Sequence, residues 1–304
     1  MVNTVTLYKS LLQTLMKLAG VEPRKVEIEP GTVMNFWVPT KPKTEEIIQK
    51  PSVVFVHGFG ADGILTWMFQ VFNLTSHYSV YVPDLLFFGG STTSARNRSL
   101  RFQTECLATG LRKLGVERCV VVGLSYGGMI GFKMAELYPD LVESMVVSGS
   151  VEALTESLSS TRLKGLGQKR WSDFLLPTTA EGVKELFRVA THWLPPWIPN
   201  RIFKDYFEVM FSHRKEREEL LEAMIIKDED FTPHHYHQRI FFVWGDDDKI
   251  FHLEIAHKLT EQLGEKAKLQ YIEKAGHLAQ LERPCVYNAH LKQILASLTT
   301  DKQL

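Results

Sequence analysis

The chain has 304 residues, 44% hydrophobic and 23% charged, with 35 basic side chains balancing 35 acidic ones. That length buries a sizeable core as one large domain or a domain with an insertion. Zero formal charge and a pI near 7.2 remove the basic field that nucleic-acid binding needs. Three widely spaced cysteines, Cys106, Cys119 and Cys285, make neither a disulfide framework nor a zinc site and suit a reducing, cytoplasmic compartment.

Residues 1–20 read as an amphipathic helix. Tyr8, Leu11, Leu12, Leu15 and Leu18 recur at helical spacing, with Lys9, Ser10, Gln13, Thr14 and Lys17 on the other face. Such a helix either docks on the domain or lies in a membrane or lipid-droplet surface, a peripheral contact. The interrupted apolar pattern is not a secretory signal, and no apolar run is long enough to span a bilayer. No residue before Val21 has a type or spacing that suggests a catalytic role.

From residue 21 to 150, apolar runs alternate with helical stretches. Strands are expected at Lys25–Glu29, Thr32–Val38, Ser52–Val56, Ser79–Val82, Cys119–Leu124 and Ser144–Ser148, and helices at Leu65–Leu74, Leu100–Leu114 and Tyr126–Leu137. Pro30-Gly31 turns the first two strands into an antiparallel hairpin. Runs such as Val53-Val54-Phe55-Val56 suit strands covered on both faces. The alternation predicts a doubly wound, mostly parallel α/β sheet. It lapses over 151–238, which reads as a helical cap inserted after the sixth strand of the core. It resumes over 239–304 with strands Ile240–Trp244 and Lys268–Ile272 and helices Leu253–Leu263 and Val286–Ala296. The cap is rich in large aromatics, so some should face a cavity beneath it, and Trp193 and Trp197 are the expected substrate-binding pair.

Chemistry concentrates at Gly123-Leu124-Ser125-Tyr126-Gly127-Gly128. A bare G-x-S-x-G arises by chance in roughly one chain in ten of this length. Here it follows an apolar strand and opens a helix, the junction that a nucleophile elbow requires. A serine nucleophile needs a base and an orienting carboxylate. His277 follows the last expected strand, and Asp246, Asp247 and Asp248 follow the strand Ile240–Trp244, at the end where open α/β sheets build their sites. The loop His57-Gly58-Phe59-Gly60 offers backbone donors, so the Phe59 N–H and the Tyr126 N–H are assigned to an oxyanion hole. His57 itself reads as a brace for that loop rather than a second base.

Together with Pro83-Asp84-Leu85, Gly89, Ser91 and Trp244-Gly245-x-x-Asp248, these motifs resemble the α/β-hydrolase superfamily from about Glu29 to Leu298. The resemblance implies an α/β-hydrolase fold and selects Asp248 as the acid. It is similar to capped esterases and monoacylglycerol-lipase-like hydrolases, which implies a serine hydrolase cleaving a small apolar ester through an acyl-enzyme on Ser125. Alternatives are a carbon–carbon bond hydrolase of the ring-cleavage-product type, a slow-turnover hormone-receptor-type relative, and an acyltransferase. Phe87 and Phe88 depart from the family pattern, and Phe87 is expected to stiffen its loop and crowd the pocket mouth. No cofactor or metal is expected. The cluster His234-His235-Tyr236-His237 has poor ligand spacing.

Overall fold

The computed structural model describes residues 2–40 and 50–300; residue 1 and residues 301–304, the ends of the expected first and last segments, lie outside them. Helix α1 (Thr4–Leu18) is capped by Asn3, whose side-chain oxygen accepts the N–H groups of Val5 and Thr6. It ends at Gly20, which takes the left-handed φ of +89°. The hairpin β1 (Val21–Glu29) and β2 (Thr32–Pro39) follows, antiparallel as the Pro30-Gly31 turn implies. Then come β3 (Ser52–Val56), α2 (Gly63–Leu74), β4 (Ser79–Pro83), β5 (Thr92–Thr93), α3 (Leu100–Lys113), β6 (Cys119–Leu124), α4 (Tyr126–Leu137) and β7 (Val142–Ser148).

The stretch after β7 holds β8 (Leu154–Thr155), α5 (Glu156–Gly165), α6 (Trp171–Leu175), α7 (Ala180–Ala190), α8 (Asn200–Met210), α9 (Arg214–Ala223) and β9 (Ile225–Ile226). β8 and β9 pair in parallel through Leu154 and Ile225, so the helices between them leave and return at one place. The chain closes with β10 (Arg239–Gly245), α10 (Leu253–Leu263), β11 (Ala267–Ile272), α11 (Ala279–Glu282) and α12 (Pro284–Thr300). No helix among the described residues is long and apolar enough to cross a membrane.

The main sheet runs β1-β2-β4-β3-β6-β7-β10-β11, with β5 on β2. It is antiparallel at the hairpin end and parallel from β4 to β11. The fold class read from the alternation is therefore the one observed. Along β3, Val54 and Val56 enter one core layer while Val53 and Phe55 enter the other, and β6 and β10 divide in the same way. That period of two, with both faces buried, is what helices on both sides of a parallel sheet demand.

Candidate active site

Ser125 sits between β6 and α4 with φ 53° and ψ −120°, a backbone conformation that costs a non-glycine residue about 1–2 kcal/mol. Close packing on every side holds it there. A Cβ on Gly127 would collide with the Val56 carbonyl, and one on Gly123 would lie 2.6 Å from the Gly127 carbonyl oxygen. The Ser125 N–H donates to the Ser148 carbonyl at 2.9 Å, and Ser150 Oγ donates to the Ser125 carbonyl at 2.6 Å. Its neighbours are buried, while Ser125 itself reaches a cavity.

His277 lies on the same cavity wall. Its Nδ1 is 2.8 Å from Asp248 Oδ2, and both side chains are buried. A carboxylate only accepts, so Nδ1 carries the proton and Nε2 keeps its lone pair. The other Asp248 oxygen accepts the N–H groups of Ile250 and Phe251, each at 2.9 Å. Arg162 fixes that turn through the Ile250 and Lys249 carbonyls, and Trp244 Nε1 donates to the Phe251 carbonyl. Of the three consecutive aspartates, only Asp248 meets His277. Asp247 pairs with His192 at 3.0 Å and Lys249 at 3.4 Å, and Asp246 Oδ1 lies 3.4 Å from the Ala275 N–H. Gly149 leaves room for the imidazole: a Cβ there would lie 2.6 Å from His277 Nδ1.

The loop after β3 approaches from the other side, where a Cβ on Gly58 would lie 3.3 Å from Ser125 Cβ. His57 is fully buried. Its Nδ1–H donates to the Gly58 carbonyl at 2.7 Å and its Nε2 accepts the Leu85 N–H at 2.9 Å. Burial holds its pKa down at about 4, so the ring is neutral and braces the loop. The backbone N–H groups of Phe59 and Tyr126 find no partner among the described residues. The Phe59 ring stands edge-on to Tyr126 and Phe88.

The cavity measures about 170 Å³, and apart from Ser125, His277, Thr66 and Gln280 its side chains are overwhelmingly apolar or aromatic. That size is comparable with cavities of roughly 150 Å³ that take up a benzene-sized molecule. Two expectations are corrected here. Trp193 and Trp197 are 61% and 75% exposed and line none of it. They lie in the proline-interrupted connection between α7 and α8, which runs along the surface. Trp171, Leu175, Phe187 and Tyr206 form the wall instead. Phe87 does not crowd the cavity either. Phe88 packs on His57 and Phe59 beneath the Arg217 guanidinium, and Phe87 lies against His213 with Arg98 over its ring.

Sequence reasoning missed three supports of the loops that follow β3 and β4. The Tyr206 hydroxyl donates to the Gly60 carbonyl at 3.0 Å. Lys9 Nζ lies 2.6 Å from Asp62 Oδ2, and Asp62 caps α2 by accepting the Leu65 N–H. Arg217, whose pKa burial lowers to about 10, donates Nε–H to the Phe87 carbonyl. The helix α1, expected to stand apart from the chemistry, therefore touches a residue beside the loop. The His234 N–H and the Tyr236 hydroxyl both donate to Glu152, and among the described residues no group of three His, Cys, Asp or Glu is arranged to hold a metal ion.

The alpha/beta hydrolase fold family matches residues 51–284. Epoxide hydrolase 4 of Homo sapiens is 31% identical over 102 residues, 32% of this chain and only 27% of that protein. A putative lipase from Acinetobacter baumannii superposes with a TM-score of 0.81 at 21% identity, covering 97% of each chain. The 2-hydroxy-6-oxo-6-phenylhexa-2,4-dienoate hydrolase from a Rhodococcus strain gives 0.72 at 23% identity, over 90% of this chain and 98% of its own. At such identities the two structures speak for the fold.

Proposed function

The chain belongs to the alpha/beta hydrolase fold family, and from that premise we propose that it is a serine hydrolase cleaving carboxylic esters with an apolar acyl or alcohol part. The observation that carries this reading is the convergence of Ser125 and the His277–Asp248 pair on one apolar cavity. In the reaction, His277 Nε2 takes the Ser125 hydroxyl proton while Oγ attacks the ester carbonyl carbon. The Phe59 and Tyr126 N–H groups donate to the resulting oxyanion, the latter from the positive end of α4. The C–O bond to the alcohol then breaks, His277 gives the alcohol its proton, and water hydrolyses the acyl-enzyme by the same path.

The cavity favours this reading over its rivals. The carbon–carbon bond hydrolase among the structural neighbours is named for a dienoate, a carboxylate substrate. No arginine or lysine lines the cavity here, and a desolvated carboxylate without a cation is costly. Epoxide hydrolase chemistry in the superfamily uses an aspartate nucleophile, and this elbow carries Ser125.

The test is hydrolysis of an aryl-ester series by wild type, Ser125→Ala, Asp248→Asn, Asp247→Asn and Asp246→Asn, with mass spectrometry of the trapped acyl-enzyme. Ser125→Ala and Asp248→Asn should each lose roughly 10⁴-fold in kcat, with the acyl adduct on Ser125. An active Ser125→Ala protein overturns the proposal. Inactivity of Asp246→Asn alone overturns the choice of acid.

A further inference from the structure

Large exposed apolar side chains are concentrated on one part of the molecule. Among the described residues thirteen are exposed, and eleven of these belong to residues 2–18, to α2, or to residues 193–202. On α1, Leu7, Leu11, Leu15 and Leu18 stand at spacings of four, four and three, one stripe at about 100° per residue. Val5, Leu12 and Met16 form a separate stripe, and it is this one that is buried. The helix therefore satisfies the docked reading with one face and leaves a second apolar face in the open.

These elements adjoin one another. α1 packs on α2 and α8. The Tyr8 hydroxyl meets Met68 Sδ at 2.9 Å, next to the exposed rings of Phe69 and Phe72 on α2. Thr4 donates its N–H and hydroxyl to Asp205 Oδ2, and Arg201 donates to the Val2 carbonyl, so the start of α1 is fastened beside Ile202. The Trp193 N–H donates to Glu282 on α11, which packs on α2. The same α2 and α11 supply Leu65 and Leu281 to the cavity that holds Ser125.

We propose that this face docks on a lipid surface, with α1 lying in the headgroup layer beside the cavity. A lipid interface fits it better than a protein partner does. α1 carries no acidic residue and has Lys9 and Lys17 as its only charges, and its remaining polar face is Thr6, Ser10, Gln13 and Thr14. The chemistry of Tyr8, Trp193 and Trp197, an apolar ring with a polar edge, is favoured at membrane–water boundaries. At 15 residues the helix is about 22 Å long, too short to span and suited to lie flat.

The inference stands apart from the ester reading, so its test uses Ser125→Ala protein, full length, with vesicles of phosphatidylcholine alone or mixed with an anionic phospholipid. Flotation and quenching of tryptophan fluorescence by brominated lipid should both report binding. The triple change Leu7→Gln, Leu11→Gln, Leu15→Gln leaves Val5, Leu12 and Met16 in place and should lower the partition coefficient at least roughly tenfold. If its melting temperature falls, the pair Trp193→Ser and Trp197→Ser decides with the same expected loss. Wild type that stays in solution, or a triple variant that floats as well as wild type, overturns the proposal. So does a concentration-dependent dimer abolished by the triple variant, which would make a second copy the occupant of this face.

Discussion

Acidification should weaken the fold through His57, and His57→Gln should remove that weakness. In the unfolded chain this imidazole titrates at its ordinary 6.5, while burial holds it at about 4 in the native protein. Above the unfolded value both states are neutral and His57 adds no slope. As the pH falls from about 6.5 to about 4, the unfolded chain takes up a proton that the native state refuses, so stability declines, and below about 4 the loss is complete. The full shift of about 2.5 units corresponds to about 3 kcal/mol, of which about 2 kcal/mol is already lost at about pH 5. Burial and the neighbouring Asp62 raise the Asp84 carboxyl, which acts in the opposite sense, adding stability as the pH falls; wild type alone would therefore blend the two. Comparison with His57→Gln cancels Asp84. At about pH 7.5 the variant should be less stable by about 1–3 kcal/mol, because the Leu85 N–H and the Gly58 carbonyl lose ideal partners. By about pH 5 that gap should close by about 2 kcal/mol in urea unfolding curves. A gap of equal size at both pH values would refute the reasoning.

Two further substitutions probe the supports of the site. Gly149→Ala places a methyl 2.6 Å from His277 Nδ1 and 3.0 Å from Asp248 Oδ2, at a backbone φ of +50°; kcat should fall by roughly 10²-fold, and a rate within about twofold of wild type would show that the imidazole has slack. Lys9→Met leaves Asp62 buried without its cation, so thermal unfolding should register a loss of about 1–3 kcal/mol. The Asp62→Asn partner change should add little to it, and additive losses would mean that the pair is not coupled.

The elbow was legible because everything it needs is local: an apolar strand, small residues flanking Ser125, and a helix beginning one residue later. His277 was legible for a similar reason, as the histidine just past the last strand. The acid was separable only through the family resemblance, whose Trp-Gly-x-x-Asp pattern selects Asp248; residue chemistry alone leaves Asp246, Asp247 and Asp248 open, since they share one turn. What singles out Asp248 is its second oxygen, held by the N–H groups of Ile250 and Phe251 so that the first faces His277. Strands of two residues, such as β5, β8 and β9, carry no period to read. α2 begins before its apolar pattern does, because its start is set by the Asp62 cap.

The misplaced tryptophans have a more general cause. Composition announces an aromatic helical segment, but which ring faces inward depends on where each helix meets the sheet. Pro195, Pro196 and Pro199 prevent a helix across Trp193 and Trp197, and a connection without the hydrogen-bond ladder of a helix or strand stays near water. Trp171 begins a helix instead, and its indole N–H is satisfied by Ser159, so it can be buried against Phe251 at the cavity. The loop supports were hidden by sequence separation in the same way. Tyr206 reaches Gly60, Arg217 reaches Phe87, and Lys9 reaches Asp62, three long-range contacts to the strand-end loops near Ser125 that no local pattern encodes. Helices outside the sheet thus hold the backbone around the nucleophile in place as well as covering it, which is why changes far from Ser125 in the chain are expected to be felt there.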